Sequence, residues 1–217
     1  MRVLEHKYGL YLLTCVCGLV DVTSFVGLHG VFSAMMSGNL LMFAIALAEG
    51  HPIELGLKYI RAFGGFTIGI IIAAQMMKFC GDGNKSRKAF WLVWFLIGAA
   101  MILSLWRDPE THEPMRNGLV NLLSMAMGAM ATIVRVNGIP DLATSLFTGT
   151  YTSLIAESTV GGGGGGKWFR RFLSIALFVL SGAIGGYLAK INPVWSLGLA
   201  FMIMSFAMVI FHKSSQD

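Results

Sequence analysis

The chain alternates between eight apolar segments and short polar or charged stretches. The segments are Tyr8–Leu28, Phe32–Ala48, Lys58–Met77, Ala89–Trp106, Met115–Val136, Ile139–Ala156, Trp168–Ala189 and Val194–Phe211. A membrane-spanning helix needs about 20 mostly apolar residues, and six of these eight segments meet or approach that length. The pattern predicts an all-α, polytopic membrane helical bundle that forms a single membrane domain over residues 1–217.

The second and sixth segments are shorter and carry polar residues at their middles, Ser37-Gly38-Asn39 and Thr148-Gly149-Thr150. Ser and Thr are good N-cap residues, and glycine lets a backbone or ligand approach closely. A helix from Ser37 to Ala48 is about 18 Å long, which suits half of a bilayer core of about 30 Å. These stretches therefore predict short helices that begin near the bilayer midplane. The alternative is that they form only tight helix–helix contacts.

The two halves of the chain share a pattern. Three features recur in register at offsets of 110, 111 and 109: Gly18 as Gly128, Ser37–Gly38 as Thr148–Gly149, and Lys58–Phe63 as Lys167–Phe172. They predict a duplication, with repeat 1 at about residues 8–106 and repeat 2 at about residues 115–212. The alternative is a chance match within an apolar sequence of low diversity.

Composition agrees with a membrane protein. The chain is 55% hydrophobic and 12% charged, with a mean hydropathy of +0.70, whereas soluble domains carry about 25% charged residues. The net charge of +5 comes from basic residues at the ends of apolar runs, which the positive-inside rule explains without a nucleic-acid partner.

Charge also predicts the topology. The loop Lys78–Lys88 is basic and should be cytoplasmic, as should both termini, whereas the acidic loop Arg107–Arg116 should face outside. An even number of crossings then separates the N-terminus from Lys78, so Phe32–Ala48 should enter and leave on one side. The prediction is six full spans plus two short re-entrant or broken helices, with three crossings per repeat and hence an inverted repeat. Eight spans in a parallel repeat is the alternative.

Asp21 is the charge that lies deepest in the first apolar segment. A carboxylate there costs a few kcal/mol on insertion scales, so it must face a cavity, bind helix N-terminal NH groups or be protonated. Asp21 is therefore interpreted either as a functional carboxylate or as a structural carboxylate that caps backbone NH groups. The candidate substrate-binding residues are Asp21, Ser37, Gly38, Asn39, Thr148, Gly149 and Thr150.

No pattern for catalysis, metal or cofactor binding is present in the sequence. Cys15 and Cys17 are roughly 200° apart on a helix and cannot share a face, and the histidines lack a paired spacing. The methionines are interpreted as lipid-facing or gap-filling residues and not as copper ligands. We therefore expect neither an enzyme nor a resident cofactor.

The segments Gly18-Leu19-Val20-Asp21, Ser37-Gly38-Asn39-Leu40 and Arg135…Pro140-Asp141…Thr148-Gly149-Thr150 resemble the YoaK-like family. These are small, mainly bacterial membrane proteins of unknown function, and the resemblance covers nearly the whole chain. Ser37 stands where Thr is expected, and Gly161–Gly166 resembles a local linker. The resemblance implies a multi-span protein of the cytoplasmic membrane and brings no substrate or reaction.

These observations favour a small-solute transporter or channel with a midplane site between two repeats. The main alternative is a membrane scaffold or accessory subunit, and a membrane-embedded enzyme is less favoured. The expected partners are the lipid bilayer and a small solute or ion, without nucleic acid. Small-residue faces at Gly65-x3-Gly69-x3-Ala73 and Gly182-x3-Gly186 should serve internal packing, with homodimer formation as the other use.

Overall fold

A computed structural model describes residues 7–51, 53–79, 85–106, 112–136, 147–159, 161–164 and 166–213. In these ranges the chain forms eight α-helices and no β-strand. The helices are α1 Lys7–Gly27, α2 Met36–Ala48, α3 Ile53–Phe79, α4 Lys85–Trp106, α5 Glu113–Val136, α6 Phe147–Ala156, α7 Trp168–Ile191 and α8 Pro193–Lys213. The predicted all-α fold is confirmed, although the first part of the segment Ile139–Ala156 lies outside the described residues.

The helices fall into two length classes. Six of those described are long and apolar enough to cross a membrane, and α2 and α6 are not among them. With 13 residues, α2 is about 20 Å long, short of a bilayer core of about 30 Å, and α6 has 10 residues within the described range that starts at 147. The six predicted long apolar helices and the short α2 are therefore confirmed.

Helices α1 and α5 form the centre of the bundle. α1 packs against α7 and α8, α5 packs against α3 and α4, and α4 also packs against α8. The apolar windows of α1 and α5 are 61% and 67% buried, against 28% for those of α3 and α7. The short helices lie at the periphery, because α2 packs on α3 and α6 packs on α7.

Glycine permits the closest of these contacts. A Cβ atom at Gly69 of α3 would overlap the Met125 carbonyl of α5, and one at Gly128 of α5 would overlap the Phe66 carbonyl of α3. Gly185 of α7 similarly meets the backbone of α1 at Leu19. The small-residue faces thus pack helices within the chain, as expected when backbones approach closely.

Cross-helix contacts give the direction of each central helix relative to its neighbours. Along α1 and α8 the contacts run in opposite senses, since Gly9 meets Phe211 whereas Thr23 bonds Ser196. Along α1 and α7 they run in the same sense, from Gly18 with Gly182 to Gly27 with Ala189. Helix α1 is therefore antiparallel to α8 and parallel to α7.

The remaining long helices follow in the same way. Phe90 of α4 stacks on Phe211 of α8, and Met101 of α4 meets Gly198, so α4 and α8 are antiparallel. Gly65 and Gly69 of α3 meet Asn121 and Met125 of α5 in the same order, so these two helices are parallel. Gly118 near the start of α5 contacts Leu103 near the end of α4, which makes α4 and α5 antiparallel. Helices α1, α4 and α7 thus run one way, and α3, α5 and α8 run the other way.

Candidate functional site

The chain turns back on itself after α1. His29 and Gly30 have positive φ angles of 63° and 76°, and the Gly30 N–H donates to the Phe25 carbonyl at 2.8 Å. This bond closes the helix end as in a Schellman motif, in which a left-handed residue follows the last helical turn. The segment from His29 to Met35, here called the return loop, then runs alongside α1 toward its interior.

Asp21 holds the end of the return loop. Its Oδ1 accepts hydrogen bonds from the backbone N–H groups of Ser33, Ala34 and Met35 at 2.8, 2.7 and 3.4 Å. Asp21 is six residues before the end of α1 at Gly27, which is about 9 Å along the helix axis. The first residues of α2 are therefore drawn back to the depth of Asp21.

The carboxylate also lies beside the N-terminus of α2. The N-cap residue is Met35, and no side chain of its own caps the helix. The predicted capping role of Ser37 is wrong, because α2 begins at Met36 and Ser37 already lies within its first turn. Oδ1 of Asp21 instead binds the N–H of Met35 and the two N–H groups before it, and the partial positive charge of a helix N-terminus favours an anion there.

Asn39 fixes the loop from its other side. Its Oδ1 accepts the Phe32 N–H at 2.9 Å and its Nδ2 donates to the Phe32 carbonyl at 2.7 Å. The side chain is fully buried. Asn39 therefore satisfies both backbone groups of Phe32, where the loop has no regular secondary structure.

Two further contacts connect the return loop to the helices beside it. Ser33 Oγ donates to the Val20 carbonyl of α1 at 3.4 Å, and Lys58 Nζ of α3 donates to the His29 carbonyl at 2.8 Å. Lys58 thus places the start of α3 at the level where α1 ends.

The structure brings together only part of the predicted residue set. Asp21 and Asn39 are buried at the return loop, and Gly38 lies close to the Phe32 ring. The remaining four are divided by exposure: Ser37, Thr148 and Gly149 are exposed, and Thr150 is buried in α6. Helices α2 and α6 do not form one of the principal packed pairs. Packing between these helices therefore does not bring Ser37–Asn39 and Thr148–Thr150 together.

In the second half, polar contacts among the described residues lie at the C-terminal end of α6. The buried Arg171 of α7 donates from Nη1 to the Ser153 carbonyl and from Nη2 to Glu157 Oε2, both at 2.8 Å. A cation is favoured at a helix C-terminus, so Arg171 stabilises the end of α6. Sequence reasoning missed this role because Arg171 resembled one more basic residue at a membrane boundary.

The glycine run after α6 begins as an ordered turn. The Gly163 N–H donates to the Ser158 carbonyl at 2.8 Å, and Gly162 has a φ of 84°. A Cβ at Gly161 would overlap the Ile155 and Ala156 carbonyls. The part of Gly161–Gly166 next to α6 therefore needs glycine for its geometry, beyond the linker role expected from its composition.

Cavities and metal-binding residues do not add to this site. A groove of about 500 Å³ lies between α4 and α8, walled by apolar side chains that include Trp94, Ile102 and Phe201, away from Asp21. Within the described ranges, no cluster of three or more His, Cys, Asp or Glu side chains exists.

Six apolar helices around a buried carboxylate and a folded-back segment define a multi-pass α-helical membrane protein. Residues 9–210 match the family described as "Protein of unknown function (DUF1275)", and the chain belongs to this family. It is also 29% identical over 154 residues to the UPF0700 transmembrane protein YoaK of Bacillus subtilis (strain 168). The matched region covers 68% of this chain and 65% of that relative, just under two thirds of the relative's length. No solved structure matches the chain. The resemblance to the YoaK-like family is confirmed.

Proposed function

We propose that the protein is a small-solute transporter or channel whose site is built around Asp21. The observation that carries the proposal is the binding of this buried carboxylate by three consecutive backbone N–H groups, Ser33 to Met35, directly before a short helix. Broken helices with termini near the bilayer midplane bind solutes and ions in many secondary transporters. Irregular backbone at that depth is tolerated only inside protein or beside a water-filled cavity.

Helix directions support six crossings. Because α1 and α3 run in opposite directions, the chain between them starts and ends on the same side of the membrane, so α2 would be re-entrant. The same reasoning applies to α6, since α5 and α7 also run in opposite directions. The positive-inside rule then favours cytoplasmic termini, and the resemblance to the YoaK-like family implies a cytoplasmic (inner) membrane location.

Packing supports an inverted repeat. If the two halves are equivalent, the pair α1–α7 corresponds to α5–α3, and the pair α1–α8 corresponds to α5–α4. All four of these pairs are packed. Two contacts join residues that are one repeat apart. Cys17 meets Met127 at a separation of 110, and Trp94 Nε1 donates to Ser205 Oγ at a separation of 111. Under two-fold symmetry, a residue beside the axis contacts the equivalent residue of the other half. The axis would therefore pass through these two contacts.

The charge of Asp21 suggests how the site could work. All the hydrogen bonds of its carboxylate in the described structure are made by Oδ1, so Oδ2 is the oxygen that a proton or a cationic solute would bind. Protonation would weaken the three N–H bonds, because hydrogen bonds to a charged acceptor are about twice as strong as neutral ones. The return loop and α2 would then be free to shift. The proposal requires no bond-breaking chemistry and no catalytic residue.

The test is flux into proteoliposomes. The wild-type protein is screened with small anions, cations and neutral metabolites across an imposed pH gradient, beside Asp21→Asn and Glu49→Gln. Asp21→Asn keeps the shape and the Oδ1 acceptor, so it should fold but lose transport or its pH dependence. Glu49→Gln removes an exposed carboxylate from the opposite end of α2 and should leave transport unchanged.

Two outcomes would overturn parts of this proposal. An Asp21→Asn protein that moves an identified solute with unchanged rate and pH profile would make Asp21 a structural cap. Absence of flux for every solute, together with a stoichiometric partner that co-purifies, would favour the membrane scaffold or accessory subunit.

A further inference from the structure

Three sulfur atoms meet at the centre of the bundle. Cys17 Sγ of α1 lies 3.9 Å from Met127 Sδ and 4.0 Å from Met130 Sδ, both on α5. Cys17 and Met127 are 2% exposed and Met130 is fully buried. Met127 and Met130 are three residues apart on one helix, so they present their thioethers to the same side.

The two distances from Cys17 Sγ to the methionine sulfur atoms match a known coordination geometry. The Cys17 thiol carries a single proton, so it can donate a hydrogen bond to only one of the two nearby thioether sulfur atoms. Thiolate and thioether sulfur are soft ligands that select Cu(I). With metal–sulfur bonds of about 2.3 Å, as in zinc thiolates, a trigonal planar site places its sulfur atoms about 4.0 Å apart. We propose that Cys17, Met127 and Met130 bind one Cu(I) ion at the crossing of α1 and α5.

The charge balance of this reaction suits a bilayer interior. Cu⁺ forms a bond to Cys17 Sγ as the S–H bond breaks, and the proton leaves to the surrounding solution. No electron is transferred, because the copper enters already reduced. The product, a cuprous ion with one thiolate and two thioethers, carries no net charge. A neutral complex avoids the cost of a charge in the membrane interior.

The position of the cluster explains why the cysteine pattern did not reveal it. Cys15 and Cys17 point to different sides of α1, so a search along one helix finds no pair. The second and third ligands come from α5, more than 100 residues later. The inference does not depend on Asp21 or on transport, so its failure would leave the proposed function untouched.

Anaerobic Cu(I) titration of the purified full-length protein tests this site, with bicinchoninate as the competing ligand. A Cys15→Ser/Cys80→Ser background leaves Cys17 as the one thiol among the three cysteines of the chain. This protein should bind one Cu(I) per chain, and X-ray absorption should show three sulfur neighbours at about 2.3 Å.

The methionines distinguish the site from binding by a lone thiol. In the same background, Met127→Leu/Met130→Leu conserves side-chain volume, which cores tolerate well. It should weaken Cu(I) binding by more than the roughly 10- to 100-fold that loss of a group supporting a metal ligand causes. Met125→Leu, a control on the same helix, should leave binding unchanged. Size-exclusion elution and circular dichroism check that each variant is folded.

Two results would overturn the inference. One is absence of tight Cu(I) binding by the folded background protein. The other is unchanged affinity and sulfur count in folded Met127→Leu/Met130→Leu, because the copper would then need only the thiol. In either case the sulfur atoms are ordinary packing partners.

Discussion

Gly64 and Gly69 lie five residues apart on α3, but a side chain would meet different surroundings at each. A Cβ at Gly69 would overlap the Met125 carbonyl of α5, whereas a Cβ at Gly64 would have no atom within 4 Å. Backbone cannot move aside as a flexible side chain can. Gly69 therefore sets the distance between α3 and α5, and Gly64 does not.

Alanine at these two positions should have opposite effects. Gly69→Ala should lower the free energy of unfolding by about 1–3 kcal/mol, as overpacking does. Gly64→Ala should raise it by up to about 1 kcal/mol, because alanine is the better helix former. Unfolding midpoints of both variants in the same detergent check this. Equal midpoints would show that α3 and α5 are not in backbone contact.

For single residues, the sequence predicts which side chains are buried better than it predicts their hydrogen-bond partners. Asp21 was identified because a charge inside an apolar run needs compensation, and binding to helix N–H groups was one of the expected solutions. Its partners, Ser33 to Met35, could not be read from the sequence. They depend on the left-handed conformation of His29, which a residue other than glycine rarely adopts.

The return loop is the element that joins the proposed site to the bundle. It is held by Asp21 at one end, by Asn39 at Phe32 and by Lys58 at His29. The backbone N–H groups of its residues 32–35 are bound by side chains, unlike those of the helices on either side. Loss of one such side chain should therefore loosen the loop while the helices persist.

Asn39→Leu should expose this dependence. Removing both bonds to Phe32 should speed amide exchange in Phe32–Met35 by roughly 5- to 160-fold, as expected when buried backbone groups lose about 1–3 kcal/mol. Ser37→Ala, at an exposed position two residues away, is the control and should not alter exchange. Hydrogen–deuterium exchange in detergent measures both. Similar rates in the two variants would mean that Asn39 does not hold the loop.

The end of α6 permits a second comparison. Arg171 is buried, whereas the side chain of its partner Glu157 is 58% exposed. Arg171→Ala should cost several times more stability than Glu157→Gln, because exposed ion pairs contribute only about 0–1 kcal/mol. Thermal unfolding of the two variants measures the difference. If Glu157→Gln were as damaging as Arg171→Ala, the ion pair and not the Ser153 carbonyl would hold α6.

For the whole molecule, the sequence predicted the length classes of the helices but only part of their register. Lys58–Phe63 and Lys167–Phe172 match at an offset of 109. In the packed structure, however, Gly18 meets the Phe178 carbonyl and Gly128 meets the Phe66 carbonyl, so the proposed repeat would relate Phe66 to Phe178 at an offset of 112. The contacts at the helix crossings set this register, and they involve residues that the motif does not include.

The proposed six-crossing topology predicts the accessibility of the loops in intact cells. In a background without native cysteines, Glu110→Cys should react with a membrane-impermeant maleimide. Asn84→Cys should react only after lysis, because the Lys78–Lys88 loop is basic. Labelling of Asn84→Cys before lysis would contradict this orientation.

The interleaving of the two halves has a consequence for the order of events during synthesis. Helix α1 is complete at Gly27, but its partner α7 ends at Ile191, about 160 residues or roughly 8–30 s later at 5–20 residues per second. The interval between the completion of α3 and the completion of α5 is shorter. During the longer of these intervals, Asp21 and the surface of α1 that later packs on α7 lie beside the insertion machinery or lipid. The nascent chain should therefore be most vulnerable to membrane proteases before its last two helices emerge.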